Sequence, residues 1–297
     1  MNVYETVTER LVAALEGGII PWRKPWKASA ETGAVPYNRH SGKSYRGINI
    51  WLLECAPFQS RAWMTYKQAA EMGAHVRKGE KGWPVVFWKF SREKDEEKIS
   101  LDRVTSVLMR QYTVFNVDQI EGLPQTLPFE LPEFNPIESA QAIADKYLSS
   151  AGAPTLAHGG DRAFYNPSRD HIQMPHQGTF FKPEGYYTTL FHEAGHSTGH
   201  TSRCDRKDGM SNHFGDHLYS KEELVAEFTA AFLCAQCGIS NEYTETNTTA
   251  YLQSWISAFK NDARVAVTAA QRAQKACDWI LNAGSAAISE TEEEIAA

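Results

Sequence analysis

Apolar residues fall at helical spacing over residues 2–16, where Val3, Val7, Leu11 and Leu15 share one face and Gly17-Gly18 stops the run. A second helix is expected over Trp63–Met72. Two strands are expected at VVFWKF (85–90) and TSVLMRQYTVFNV (105–117), separated by the charged connector SREKDEEK. Between these, PWRKPWK (21–27) carries prolines that forbid regular structure and reads as a loop, and HVRKGEKGW (75–83) reads as turns. Further along, Glu138–Ser149 shows the amphipathic helical pattern, and AFYNPSRDHIQMP (163–175) reads as two short extended pieces around a turn. Helical segments follow at about 185–199, 221–238 and 250–282, the last with Trp255, Ile256, Phe259 and Trp279 as expected core. The pattern predicts an α+β chain in two domains, an N-terminal α+β unit and a mainly helical C-terminal unit with a small sheet.

Pro124, Pro128, Pro132 and Pro136 recur every four residues, a spacing that neither a helix nor a central strand accepts. Residues 121–137 therefore read as an extended linker between domains at 1–120 and 138–297, and Ser289–Ala297 as a short acidic tail. With 42% hydrophobic and 22% charged residues, the chain has the composition of a globular protein rather than a disordered one. No apolar run reaches the length of a membrane span, and Glu5, Glu9 and Glu16 interrupt the only apolar region near the start, which excludes a secretory signal. Five scattered cysteines do not make a disulfide framework, so a reducing cytoplasm is the expected compartment.

Charge divides the chain where the prolines do. The net charge is −6, yet residues 1–92 hold 14 Lys/Arg against 7 Asp/Glu, while the remainder holds 16 against 29. Tryptophan is skewed the same way, with Trp22, Trp26, Trp51, Trp63, Trp83 and Trp88 early and only Trp255 and Trp279 late. A basic module with interleaved aromatics suits a single strand of nucleic acid, because cations track phosphates and aromatic faces stack on unpaired bases without reading sequence. Candidate DNA-binding residues are Trp22, Arg23, Lys24, Trp26, Arg39, Lys43, Tyr45, Arg46, Lys78, Lys81 and Trp83. Tryptophan is also a habitual core residue, so plain packing competes with this reading at each indole.

The second half carries a metal-site motif. His192, Glu193 and His196 spell H-E-x-x-H. On a helix, residues four apart point the same way, so both imidazoles can reach one ion. Glu193 can then take the proton of a water that the ion acidifies. A metzincin would place a further histidine at 202; Ser202 stands there, and His200 follows Gly199 directly, which rejects that spelling. The third donor is sought in KEELVAEFTAAFLCAQCG (221–238), where Glu223 and Glu227 share a helical face and Ala226, Ala230 and Ala231 permit close packing. Glu223 is the expected ligand and Glu227 the carboxylate that orients a ligand histidine. Ser220 to Glu223 also spells a capping box, in which case Glu223 caps its helix and Glu227 becomes the ligand. His213 and His217 are lesser candidates. The second extended piece of 163–175 is the expected strand along which a peptide would lie. Cys234 and Cys237 form a lone C-x-x-C on an Ala-rich helix and read as packed thiols; no phosphate loop, nucleophile elbow or dinucleotide fingerprint is present.

Together, IIPWRKPW, YNRHSGKSYRGINIWLL, WMTYKQA and VRKGEKGWPVVFWK resemble the N-terminal domain shared by ArdC-type antirestriction proteins and TraC-type plasmid primases. FYNPSRDHIQMP, YYTTLFHEAGHSTGH and YSKEELVAEFTAAFL resemble the zincin-type metallopeptidase domain that follows it in ArdC-type proteins. The resemblance implies a plasmid-encoded protein that binds single-stranded DNA and shields incoming DNA from host restriction during conjugation. It also implies a metal centre on His192, Glu193 and His196, with zinc expected and manganese or another divalent metal as the alternative. Two readings follow: a DNA-bound metallopeptidase acting on a host restriction or DNA-bound protein, or a non-catalytic DNA-shielding protein whose metal site is structural or regulatory.

Overall fold

The computed structural model describes residues 2–17, 20–23, 35–58, 60–93, 103–124, 136–160, 162–206, 217–239 and 248–283. Lys24, Trp26, His213, most of the expected linker and the acidic tail lie outside these residues, as does the side chain of Arg23. Helix α1 (Val3–Glu16) opens on a capping box between Asn2 and Glu5 and ends at Gly17, as its apolar spacing predicts. The short strand β1 (Tyr37–Asn38) and helix α2 (Ile48–Glu54) follow.

The expected helix at 63–72 is corrected. Ala62–Met64 is a strand, β2, and only Tyr66–Glu71 is helical, α3, because Thr65 caps it by a reciprocal bond with Gln68. Strand β3 (His75–Val76) pairs with β6 (Ile120–Glu121). The long strands β4 (Trp83–Glu93) and β5 (Arg103–Asn116) form an antiparallel ribbon with a bulge between Ser91 and Arg92. The resulting sheet runs β1-β2-β5-β4.

The second unit begins with α4 (Pro136–Leu148), then β7 (Thr155–His158), β8 (Phe164–Asn166) and β9 (His171–Met174). Helices α5 (Pro183–Ser197), α6 (His217–Gln236), α7 (Thr248–Asn261) and α8 (Val265–Asn282) complete it. The sheet order is β7-β9-β8, so β9 is central, parallel to β7 and antiparallel to β8. Both of its edges are taken. The expectation that a peptide lies along this strand is therefore corrected: among the described residues the open edges belong to β7 and β8.

The two units share a core. Val7, Leu11, Leu15 and Trp51 belong to the same buried cluster as Phe228, Phe232, Trp255 and Phe259. PWR at 21–23 is a single 3-10 turn rather than irregular loop, and it drives Trp22 completely out of solvent. The indole meets Phe228 at 4.8 Å and Trp255 at 5.3 Å, edge to face. Trp51 on α2 stacks on Phe232 of α6 at 4.9 Å, while its helix neighbour Asn49 bonds both the N–H and the C=O of Val86 on β4. Trp279, expected in the core, is 43% exposed, because it lies on the outer side of an amphipathic α8. Among the described residues no helix is long and apolar enough to cross a membrane.

Because Trp22 joins residues from both halves, Trp22→Ala is expected to cost about 3–5 kcal/mol, the usual loss for a large buried aromatic. Chemical denaturation of the full chain should show that loss in a single cooperative transition, since the largest buried cluster draws its residues from both halves.

Candidate functional site

Helix α5 presents the H-E-x-x-H residues to α6. The two helices come close because Gly195 has no side chain: a Cβ there would lie 3.1 Å from the Ala226 Cα and 3.2 Å from the Thr229 Cβ. Contact of that kind carries Glu223 to the histidines. The Nε2 atoms of His192 and His196 are 3.2 Å apart. Glu223 Oε2 is 3.5 Å from His192 Nε2, and Glu223 Oε1 is 3.3 Å from His196 Nε2. A tetrahedral ion bound at ~2.0–2.1 Å separates its donors by about 3.4 Å, so this spacing fits a divalent cation. The three side chains form the one such group among the described residues. Helix α6 starts at His217, three residues before Ser220, so Glu223 lies inside the helix and no capping role falls to it.

Charge distribution supports the same geometry. Burial alone would lower both imidazoles. At His196 the carboxylates of Glu223 and Glu222 outweigh burial and hold the ring well above its ordinary value. At His192 Glu223 is again the chief opposing group. Burial would raise Glu223, yet the two rings hold its carboxyl far below the usual carboxylate range. A proton and a cation compete for these donors, as they do wherever ligand histidines must be neutral to bind a metal. Glu193 is buried next to His192 and adds to the negative potential at both rings.

Behind the donors stands a pair that the spacing of the motif does not reveal. Glu222 Oε1 is 3.6 Å from His196 Nδ1, on the ring edge opposite the donor atom. Arg206 grips Glu222 with Nε at 3.1 Å and an Nη at 2.6 Å, and also bonds the Gly195 carbonyl and the Thr198 hydroxyl. Both members are buried. Glu227, the carboxylate expected in this place, is buried one turn further along α6. A second arginine, Arg203, joins the Ser197 carbonyl at the end of α5 to Asp170 in the β8–β9 turn. Tyr165 donates to the same Asp170, which locks the small sheet to the motif helix. Cys234 and Cys237 are buried free thiols, with burial pushing Cys234 up to about 12.

The DNA candidates separate by exposure. Trp22 is excluded as a stacking platform in this conformation, since packing against Phe228 and Trp255 leaves it no open face. The guanidinium of Arg10 covers Trp83 at 4.3 Å from the ring centroid. Tyr45 is largely buried, and Arg39 is half-buried and donates to the Pro124 carbonyl. Lys43, Arg46, Lys78 and Lys81 are exposed. The structure thus brings Lys43, Tyr45 and Arg46 together on the loop before α2, and places Lys78 and Lys81 on the turn before β4.

Residues 142–272 match a zincin-like metallopeptidase model, and residues 1–115 match the N-terminal domain of anti-restriction factor ArdC. The fold and the site thus define an α+β protein of two domains in which a zincin-like metallopeptidase domain follows an ArdC-type N-terminal domain. Crystal structures of the antirestriction ArdC protein from plasmid R388 are similar throughout. The metal-free one is 36% identical, covers 95% of this chain and 97% of that one, and superposes with a TM-score of 0.72. The Mn(II)-bound one is 39% identical, covers 96% and 99%, and gives 0.73. Protein y4eC of Sinorhizobium fredii is 37% identical over 94% of this chain and 91% of its own length. Two Escherichia coli proteins named DNA primase TraC are 39% and 42% identical over 94% of this chain, which spans only 20% and 27% of their length. The chain belongs to the ArdC antirestriction family.

Glu222→Gln is expected to leave the fold standing and to weaken metal binding about 10- to 100-fold, as loss of a carboxylate behind a ligand histidine does elsewhere. Titration calorimetry with zinc or manganese measures it directly.

Proposed function

We propose that this protein protects incoming plasmid DNA from host restriction by binding it as a single strand and hydrolysing a protein met on or near it. The observation that carries the hydrolytic part is the convergence of His192, His196 and Glu223 at ion-binding distances beside a buried Glu193. We take 1–120 as the DNA-binding unit and 138–297 as the peptidase unit, joined by 121–137. His192, His196 and Glu223 would hold a divalent cation. Two nitrogens and one carboxylate suit zinc or manganese, and the R388 relative has been crystallised with Mn(II). When bound, such an ion polarises a carbonyl and makes a nearby water a stronger acid.

The chain's own residues supply the rest. Glu193 accepts the proton of the attacking water and delivers it to the departing amine. Glu222, anchored by Arg206, keeps the His196 ring turned so that Nε2 faces the donors. Glu223 is buried and the two histidines are half-buried, which limits competing water. A substrate peptide would add to the sheet at the free edge of β8, whose residues pair on their other side with β9. In the N-terminal unit, Lys43, Arg46, Lys78 and Lys81 would track phosphates, with sequence-independent affinity as the consequence.

Glu193→Ala separates hydrolysis from shielding. It should keep a full complement of metal by elemental analysis and lower proteolysis of an unfolded protein by about 10²- to 10⁴-fold, the range of general-base catalysis. Antirestriction in a conjugation assay should fall with it; full protection by this variant sinks the hydrolytic reading and leaves a shielding protein. For DNA, affinity for an oligothymidylate should drop as salt rises, with a log–log slope of about −0.7 for each phosphate contacted. A flat salt response removes the phosphate-tracking assignment.

A further inference from the structure

A cavity of about 180 Å³ opens in the N-terminal unit between the loop before α2 and the face of the β4–β5 ribbon. Its floor is Val85, Val86 and Val114, all buried. Phe87 and Tyr112, an edge-to-face pair 5.5 Å apart, are part of its wall. Lys43 and Arg46 also line it, and both are exposed. The Tyr45 hydroxyl accepts a bond from Asn38 Nδ2 and keeps its own proton to donate. Burial pushes that phenol up to about 12, so it stays protonated. Such a volume is well below the ~300–1,000 Å³ of a drug-sized pocket and has room for one planar ring system.

We propose that this cavity is a socket for a single nucleotide of a DNA strand. Its base would enter against Phe87 and Tyr112 and accept a hydrogen bond from Tyr45, while the flanking phosphates meet Lys43 and Arg46. The inference rests on the single-strand reading above and deepens it. A flat stacking groove would leave every base equivalent, whereas a socket takes one base out of the run. A duplex cannot offer that base without unpairing it, so the socket favours single strands by geometry as well as by charge.

A second feature ties the socket to the peptidase unit. One Arg46 Nη bonds both carboxylate oxygens of Asp278 on α8, at 2.5 and 2.7 Å. Gln274, one turn earlier on α8, bonds both Asp278 and the backbone N–H of Gly47. Partly exposed ion pairs of this kind are weak, so a phosphate can compete for the guanidinium. Asp278 then acts as a counter-ion that holds Arg46 until DNA arrives. The consequence runs against position: removing a charge from the peptidase unit should strengthen DNA binding in the other.

The test uses the full chain and fluorescence anisotropy with an oligothymidylate and an abasic oligomer of equal length. Wild type should bind the base-bearing strand at least about fivefold more tightly, as one inserted base is worth ~1–3 kcal/mol. Tyr45→Phe and the cavity-filling Ser44→Leu should lessen that preference, while Asp278→Asn should tighten binding about two- to fivefold, the span of one exposed ion pair. Asp278→Asn lies outside the cavity floor, and its melting temperature reports whether the fold is kept. Equal binding of the two strands, or unchanged or weaker binding by Asp278→Asn, overturns the socket while leaving single-strand binding in place. Absence of binding to either strand overturns the single-strand reading itself.

Discussion

The approach of α5 to α6 at Gly195 is the contact on which the site depends. Three donors separated by 3.2 to 3.5 Å cannot be held by one helix, because the motif supplies only two of them. The third must come from a neighbouring element at short range, and the distance between helix axes sets whether its carboxylate arrives. A glycine facing Ala226 and Thr229 lets the backbones draw together, and Ala230, one turn after Ala226, continues the same narrow face along α6. Larger residues in that seam would push Glu223 away by an amount comparable to a metal–ligand bond tolerance. The x-x of H-E-x-x-H is therefore not indifferent here: Gly195 decides how closely α6 can pack.

The buried Arg206–Glu222 pair has a positional rather than a stabilising logic. Ion pairs in an interior gain little over apolar packing, since both charges lose their water. This one binds three things at once: α6 through Glu222, the motif helix through the Gly195 carbonyl, and the His196 ring edge. It thus stands across the same seam that Gly195 opens. The Arg203–Asp170 pair acts at the same C-terminal end of α5, fastening the β8–β9 turn to the Ser197 carbonyl. Between them, the two arginines fix both partners of α5, the ligand helix on one side and the sheet on the other.

How much of this could be read from the chain follows from the range of each interaction. His192, Glu193 and His196 were legible because their relation is local, one helical turn. The helix that carries Glu223 was legible from its run of helix-forming residues, and folding sets that carboxylate beside both imidazoles. The orientation of His196 by Glu222 was not, since adjacent glutamates differ only in which side of α6 they face, and Arg206 reaches Glu222 only after the chain has folded back. Trp22 misled for a related reason. A proline-bounded loop has no periodicity to show a buried face, and the indole docks on residues more than 200 positions away. Trp279 erred in the opposite direction: its helix is amphipathic, but the indole falls on the outer stripe. The pattern at 171–174 shows a strand but not its neighbours, because extended spacing says nothing about which strands flank it.

The common core changes what a two-domain arrangement can mean for this protein. Charge and prolines divide the chain in two, yet Trp22 and Trp51 of the basic half are embedded among Phe228, Phe232 and Trp255 of the other. Helix α2 fastens the two halves together: Trp51 packs into the helical body, and Asn49 clamps the sheet at Val86. Swinging one half against the other would pull two indoles out of an apolar interior, a cost of several kcal/mol that exposed ion pairs such as Arg46–Asp278 cannot repay. The candidate metal site and the exposed lysines of the N-terminal half therefore keep a constant separation and orientation. On the reading proposed here, DNA would not open or close the peptidase by moving domains; it would bring the cleft to whatever protein lies beside the bound strand.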